Sequence, residues 1–180
     1  MKIVIIAGIK DRSLISLEKA FGRIAKRAKE YKIHNLGIMI DHLSHDFQTS
    51  KIIPLISEAF LLSTYEFLKY KKEAKKHDFD VWILSKAISS EEGKSLIDQG
   101  VIMAEGVNLA RDLVNEPANI ANPVGIADRV TKIFAGMNVE VDIYDEKYLE
   151  ENGFGGIIAV GKGSNIPPRL VVIKYTPKKD

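Results

Sequence analysis

The segment Gly106-Val-Asn-Leu-Ala-Arg-Asp-Leu-Val-Asn-Glu-Pro-Ala-Asn119, followed closely by Asn122-Pro123, divides this chain in two. Pro117 ends the helix in which the segment begins, because the residue before a proline avoids the helical region. Asn122 can cap a new helix, and Pro123 then occupies the first helical position, where proline is tolerated. The segment therefore predicts the end of one long helix, a short stop and the start of another helix.

The composition is typical of a globular protein that works in the cytoplasm. Hydrophobic residues make up 46% of the 180 positions and charged residues 28%. There is no cysteine, which excludes a disulfide framework and a cysteine-ligated zinc site and fits a reducing cytosol. No apolar run reaches the roughly 18 residues of a membrane helix, so we expect no membrane partner. The net charge of +2 is too small to favour nucleic acid by itself.

Apolar patterning before the dividing segment predicts strands that alternate with helices. The predicted strands are Ile3–Ile9, Leu36–Ile40 and Phe79–Leu84, and the predicted helices run from Leu14 to Tyr31, from Lys51 to Lys72 and from the Ser89 capping box to Asn115. This order predicts an α/β fold with a mainly parallel sheet and helices on its faces. Three strands make a small sheet, so we expect it to be partial.

A second α/β unit is predicted after the dividing segment. Its expected elements are a helix from Asn122 to Gly136, an alternating strand Val139–Ile143, a short helix from Asp145 to Gly153, and strands Ile157–Val160 and Leu170–Tyr175. The predicted organisation is an N-terminal α/β unit over 1–88, a linker helix over 89–119 and a second α/β unit over 120–180.

The cluster Asp41-His42-Leu-Ser-His45-Asp46 is the best candidate for a metal site. It follows a predicted strand, where open α/β sheets often bind ligands, and two histidines with two carboxylates are suitable for zinc. The spacing is generic, however, and the residues are those of an ordinary polar loop. We therefore favour a solvated loop and keep the metal site as the alternative.

Two further patterns are weaker candidates. Gly156-Ile-Ile-Ala-Val-Gly-Lys162 resembles a phosphate-binding loop, but Gly163 stands where that loop needs a hydroxyl for magnesium, so the pattern argues against nucleotide binding. A basic cluster is diluted by Glu66, Glu73 and nearby aspartates, so a nucleic-acid role is not favoured. The cluster consists of Lys69, Lys71, Lys72, Lys75 and Lys76, with Tyr65 and Tyr70 nearby. From the residues alone we assign no catalytic, cofactor-binding or metal-binding residue.

Three stretches, in this order, resemble the leucyl aminopeptidase family, whose members are two-metal peptidases. The first is Ala110–Asn119 with Asn122-Pro123, and the second is Val139–Lys147 followed by Leu149–Gly153. The third is Gly155–Ser164 running into Pro167–Tyr175. The resemblance covers roughly residues 89 to 177, whereas residues 1–88 match only in element order. It implies a partial macro-domain-like N-terminal domain, a linker helix and the beginning of the catalytic domain.

The resemblance also implies what a complete family member contains. Such an enzyme forms a hexamer and removes N-terminal residues from peptides, using two divalent metals, zinc or manganese, to polarise the carbonyl and activate water. The family's ligands lie in V-G-K-G-x-T-F-D-S-G-G and N-T-D-A-E-G-R stretches, and neither occurs here. Val160-Gly-Lys162-Gly163 begins like the first stretch but continues Ser-Asn-Ile-Pro-Pro. Lys162 is therefore not assigned as a metal ligand.

The sequence thus predicts an N-terminal portion or truncated relative of a leucyl aminopeptidase, inactive as a peptidase by itself and binding no cofactor. We expect it to self-associate or to join a separate catalytic-domain partner, because apolar faces around Ile157–Val160 and Leu170–Ile173 would otherwise be exposed. The alternative is a non-catalytic macro-like module that binds a nucleotide, DNA or a partner subunit.

Overall fold

A computed structural model describes residues 4–73 and 78–177 of the chain. The chain divides into two compact units, Met1–Asp112 and Leu113–Asp180, so the division falls inside the third helix. Each unit is described below by itself.

The first unit combines a two-stranded parallel sheet with three helices. Its elements are α1 (Leu14–Glu30), β1 (Asn35–Met39), a single 3₁₀ turn (Asp41–Leu43), α2 (Thr49–Ser63), β2 (Asp80–Leu84) and α3 (Ser90–Asn115), of which the last continues into the second unit. The register pairs Asn35 with Asp80 and Met39 with Leu84. The parallel sheet and the helices confirm the predicted α/β class.

The core of the first unit lies between the sheet and the helices α1 and α2. The apolar stripe of α1 buries Leu17 and Phe21, and α2 buries Ile52, Ile56 and other residues against them. The inward face of β1 contributes Ile38 to the same cluster. Helix α1 begins where predicted, because the Ser13 hydroxyl accepts a hydrogen bond from the Ser16 N–H.

Helices α2 and α3 approach each other closely at Gly100. A Cβ atom at this position would lie 2.1 Å from the Pro54 carbonyl oxygen of α2. The Ser57 hydroxyl lies 3.2 Å from the Ile97 carbonyl oxygen beside the same crossing. The absence of a side chain at Gly100 is therefore what allows the two backbones to meet.

The second unit contains α4 (Pro123–Phe134), β3 (Val139–Tyr144), α5 (Glu146–Glu151), α6 (Gly155–Gly161) and β4 (Leu170–Tyr175). Strands β3 and β4 pair antiparallel. The predicted helix starts are confirmed, since Asn122 accepts from the Gly125 N–H at 3.0 Å and Asp145 accepts from the Tyr148 N–H at 2.9 Å. The predicted stops are confirmed as well, because the two glycines at the helix ends have positive φ: Gly136 at 79° and Gly153 at 78°.

Two predictions for the first unit are wrong in part. Residues 4–9 do not form a strand, and Ile3 lies outside the described residues. A cavity separates this segment from β1, and the Gly8 carbonyl accepts a hydrogen bond from the Arg23 guanidinium instead of a neighbouring strand. The second helix ends at Ser63 rather than Lys72. Its last turn is closed by Thr64, whose N–H and hydroxyl both donate to the Phe60 carbonyl.

One prediction for the second unit is wrong. Ile157–Val160 belongs to helix α6 and not to a strand. Within this run Ile158 is buried, whereas Val160 is 85% exposed. A short apolar run does not distinguish a strand from one buried helical turn. Here the run is one helical turn that buries Ile158.

Candidate functional site

The loop after β1 holds the predicted cluster of two histidines and two carboxylates, and its first carboxylate has a structural role. Asp41 Oδ1 accepts hydrogen bonds from the Ser85 hydroxyl at 2.8 Å and from the Lys86 N–H at 2.9 Å. The Lys86 N–H, followed by the Ser85 hydroxyl, holds the pKa of the Asp41 carboxyl below its ordinary value. Asp41 therefore ties the end of β1 to the segment that follows β2.

The second carboxylate of this cluster is also engaged. Asp46 forms an ion pair with the Arg12 guanidinium at 3.0 Å, and His42 and His45 are exposed. Among residues 4–73 and 78–177, no three histidine, aspartate or glutamate side chains are grouped so that they could hold a metal ion. The described residues therefore do not fit the two-metal centre that the family resemblance implies.

The stretch that resembles a phosphate-binding loop is helical and lacks a phosphate cradle. Residues Gly155–Gly161 form α6, and Lys162 follows as the residue that ends it. A phosphate cradle aims several backbone N–H groups at one point, whereas the Lys162 N–H donates to the Ile158 carbonyl as the helix requires. Lys162 is exposed. A metal-binding lysine would be accompanied by carboxylates, and the described residues form no such group around Lys162.

The predicted basic cluster is only partly described by the structure. The Lys69 ammonium lies 5.4 Å from the centre of the Tyr70 ring, and the Tyr70 ring contacts Phe67 edge to face. Lys75 and Lys76 lie outside the described residues. In the described part of this cluster, the Lys69 ammonium thus contacts the neighbouring Tyr70 ring.

Polar side chains on α3 bind the end of α2, which the sequence did not indicate. Arg111 donates to the Leu62 carbonyl at 2.8 Å and lies over the Tyr65 ring at 5.4 Å. The Tyr65 hydroxyl donates to Asp112 Oδ1 at 2.7 Å. The hydrogen-bonded partners are 47 and 49 residues apart in sequence, so spacing gives no signal for them. The bond from Arg111 satisfies one of the carbonyls that a helix end leaves open.

A buried carboxylate is the second feature that the sequence did not single out. Glu116 follows α3, its side chain is 2% exposed, and its Oε1 lies 3.1 Å from the Arg129 guanidinium of α4. Arg129 is itself about one-third exposed. This ion pair joins the end of α3 to α4, so it fixes the stop between the two helices. Glu116 lies between Asn115 and Pro117, so this part of the dividing segment has a structural role.

One cavity of the first unit is apolar. It has a volume of about 450 Å³ and lies between residues 4–9 and the α1–β1 layer. His42 is the only ionisable side chain among its lining residues. A binding site for a polar substrate has several converging polar groups, which this cavity lacks. Separately, none of the helices in residues 4–73 and 78–177 has the length and apolar character needed to cross a membrane.

Comparison with known proteins connects these features to one group of enzymes. Residues 108–180 match the family model described as the catalytic domain of the cytosol aminopeptidase family. A probable cytosol aminopeptidase from a Sulfurihydrogenibium species is 35% identical over 167 residues, which cover 90% of this chain and 32% of that protein. A mutant of tomato leucine aminopeptidase has a TM-score of 0.81 at 25% identity, covering 94% of this chain and 35% of that one.

A further solved structure supports the fold alone. The bottromycin maturation enzyme BotP, solved in complex with manganese, has a TM-score of 0.75 at 24% identity and covers 92% of this chain and 34% of that one. The class defined by these likenesses is an α/β protein with the architecture of the leucine aminopeptidases. The chain belongs to the leucyl aminopeptidase family, also called the cytosol aminopeptidase family, and this confirms the predicted resemblance. It spans about a third of the length of the curated relatives that it matches.

Proposed function

We propose that this chain supplies the N-terminal module, the linker helix and the opening elements of the catalytic domain of a cytosolic metallo-aminopeptidase. The observation that carries this proposal is the match of residues 108–180 to the catalytic-domain model of the family. The matched segment starts within α3 and ends after β4, so it includes every element of the second unit.

We further propose that this chain by itself has no peptidase activity. Hydrolysis by the family's chemistry needs two divalent metals, which polarise the scissile carbonyl and activate a water molecule. The carboxylates of the Asp41–Asp46 loop are engaged with Ser85, Lys86 and Arg12. We therefore assign no catalytic or metal-binding residue to this chain, and we place both functions in other parts of the complete enzyme.

The second unit has features that support an incomplete catalytic domain. A sheet of two strands is only marginally stable in water, and three or more strands or a covering layer are needed for independent stability. In β3 and β4, Ile143 is 40% exposed and Ile173 is 47% exposed. We infer that the remaining catalytic domain extends this sheet and covers these side chains.

The proposal is tested by activity and complementation. The purified chain, assayed with leucine p-nitroanilide and added manganese or zinc, should release no p-nitroaniline above the metal-only blank. Co-expression with the C-terminal two-thirds of the Sulfurihydrogenibium relative should give hydrolysis that neither part gives alone. Ile173→Asp in the chain should abolish this complementation, because it places a charge on the face of the sheet that the remaining domain would cover. Turnover by the chain alone would contradict the proposal.

A second candidate function is a non-catalytic macro-like binding module. It is favoured by a cavity of about 260 Å³ at the carboxyl end of β2, bordered by Ser89 and Lys94 at the start of α3. Ligands of open α/β sheets bind at such strand ends. Calorimetric titration with ADP-ribose, and a salt-dependent DNA shift assay, would test this function. Saturable binding of either ligand together with failed complementation would favour the module over the peptidase part.

A further inference from the structure

The asparagine that ends α5 is followed by a glycine, and this pair is chemically reactive. Asn152-Gly153 is the only Asn-Gly pair in the chain, whereas every other asparagine precedes a residue that carries a side chain. The side-chain amide of an asparagine can be attacked by the backbone nitrogen of the next residue. A glycine leaves that nitrogen open to approach, because it has no Cβ atom. Asn152 and Gly153 are both exposed, so water reaches them.

Backbone hydrogen bonds close the end of α5 around this pair. The Phe154 N–H donates to the Leu149 carbonyl at 2.9 Å. The Gly153 N–H lies 3.4 Å from the Glu150 carbonyl oxygen, and Gly153 has a positive φ of 78°. These two contacts form the Schellman cap of a helix, in which a glycine takes the left-handed conformation. The nitrogen that would attack is therefore part of the cap.

The Asn152 side chain is also held away from the reaction. Its amide nitrogen donates to the Tyr148 carbonyl at 2.9 Å. With ψ at 12°, the backbone of Asn152 turns the Gly153 nitrogen toward the Asn152 N–H, whereas ring closure needs this nitrogen beside Cβ. Rotation to the reactive conformation moves Gly153 out of its place, so the end of α5 must open before the two groups can meet.

We propose that Asn152 is a site of spontaneous deamidation, which the cap of α5 slows in the folded chain. The Gly153 nitrogen gives its proton to water or hydroxide and bonds to Cγ of Asn152. The Cγ–Nδ2 bond breaks, and Nδ2 takes up a proton and leaves as ammonia. Water then opens the resulting succinimide ring at one of its two carbonyls, which leaves aspartate or isoaspartate at position 152. The net reaction consumes one water molecule and releases one ammonia.

Either product weakens the end of α5. A carboxylate at the C-terminal end of a helix is unfavourable with the helix dipole, and it cannot donate to the Tyr148 carbonyl as the amide does. Isoaspartate also adds one carbon atom to the main chain between Leu149 and Phe154, so their hydrogen bond can no longer close in register. Leu149 is fully buried and Phe154 directly precedes α6, so the modification loosens the connection between α5 and α6.

Peptide mapping of the full chain tests the reaction. After incubation in mildly alkaline buffer, trypsin releases segment 148–162, in which Asn152 is the only asparagine, and segment 163–169, which contains the exposed Asn165. Segment 148–162 should gain one mass unit before any other segment that contains an asparagine. In guanidinium chloride Asn152 should react at least about tenfold faster than in buffer, because the hydrogen bonds of the cap no longer have to open. Asn165, the matched control, should change by less than about threefold.

A second test measures the effect of the modification on stability. The aged chain should accept methyl groups from an isoaspartate-specific methyltransferase, and its melting temperature should fall by at least about 2 °C. Asn152→Gln is the matched control, because glutamine must close a larger ring and does so more slowly. The same incubation should create no methyl acceptor in this variant and should leave its melting temperature unchanged.

Four results would overturn the proposal. The first is another asparagine that reacts before Asn152, and the second is an Asn152 that stays intact in the folded chain while it reacts in guanidinium chloride. The third is an equal rate for Asn152 in buffer and in guanidinium chloride, because the cap would then not control the reaction. The last is an aged Asn152→Gln chain that loses as much stability as the aged wild type.

Discussion

Replacing Gly100 with alanine should destabilise the first unit, although alanine is the better helix former. The added Cβ atom would lie 2.1 Å from the Pro54 carbonyl oxygen, and an ordinary contact begins at 3.4 Å. Helix α3 must therefore move away from α2 by about 1.3 Å at this point. The obstacle is backbone, which cannot rotate away as a flexible side chain can.

The magnitude follows from three contributions. Overpacking of this kind costs about 1–3 kcal/mol. Separating the helices also weakens the contact between the Ser57 hydroxyl and the Ile97 carbonyl, a hydrogen bond that contributes about 1 kcal/mol. The higher helix propensity of alanine offsets about 1 kcal/mol. We expect Gly100→Ala to lower the free energy of unfolding by about 1–3 kcal/mol.

Helix α3 offers a matched control for this substitution. Gly106 lies in the same helix, is exposed, and has no atom within 4 Å of the position that a Cβ would occupy. Gly106→Ala should therefore raise the free energy of unfolding by about 1 kcal/mol. Thermal unfolding followed by circular dichroism should show melting temperatures that move in opposite directions, by about 4–8 °C for each kcal/mol. If Gly100→Ala is as stable as Gly106→Ala, the described close approach of α2 and α3 is wrong.

Three other perturbations have expected outcomes. Asn122→Ala should lower the free energy of unfolding by about 1 kcal/mol in a urea titration, because α4 loses its cap, and Asn122→Asp should not. The hydrogen bond from the Lys86 N–H is the main cause of the lowered pKa of Asp41. The ionised Asp41 therefore stabilises the fold at any pH above the ordinary pKa of 3.8, and this stabilisation is lost as the pH falls below 3.8 and through the lowered pKa. Asp41→Asn should therefore flatten the loss of stability in acid, and an unchanged pH profile would refute this reason. Arg129→Met should destabilise the chain by about 2–3 kcal/mol by leaving Glu116 buried without this ion pair, and adding Glu116→Gln should recover part of the loss in the same titration.

The elements that the sequence predicts well are those whose signals are local. Asn122 with Pro123, and Asp145, mark helix starts, while Gly136 and Gly153 mark helix ends. Each cap is formed by residues within about four positions of one another, so no knowledge of the tertiary structure is needed. The same holds for the alternation that predicts β3.

The predictions that are wrong depend on partners distant in sequence. Residues 4–9 have the composition of a strand, but a strand forms only by pairing with another strand, and none within residues 10–73 and 78–177 pairs with this segment. Helix α2 ends at Ser63 partly because Arg111, almost fifty positions later, donates to one of its last carbonyls. The Asp41–Asp46 loop, for which we favoured a solvated loop, also has partners that are distant in sequence. Arg12 and Lys86, which engage the two carboxylates, are not adjacent to it in sequence.

The stretch Val160-Gly161-Lys162-Gly163 shows why short motifs need their structural context. A Cβ atom at Gly161 would lie 2.9 Å from Cγ of Pro168, so this glycine is explained by the packing of α6 against the proline turn that leads into β4. A metal-binding lysine would need carboxylates converging on the same point, and the described residues around α6 do not provide them. The close contact with Pro168 thus explains why a glycine occupies position 161 of this motif.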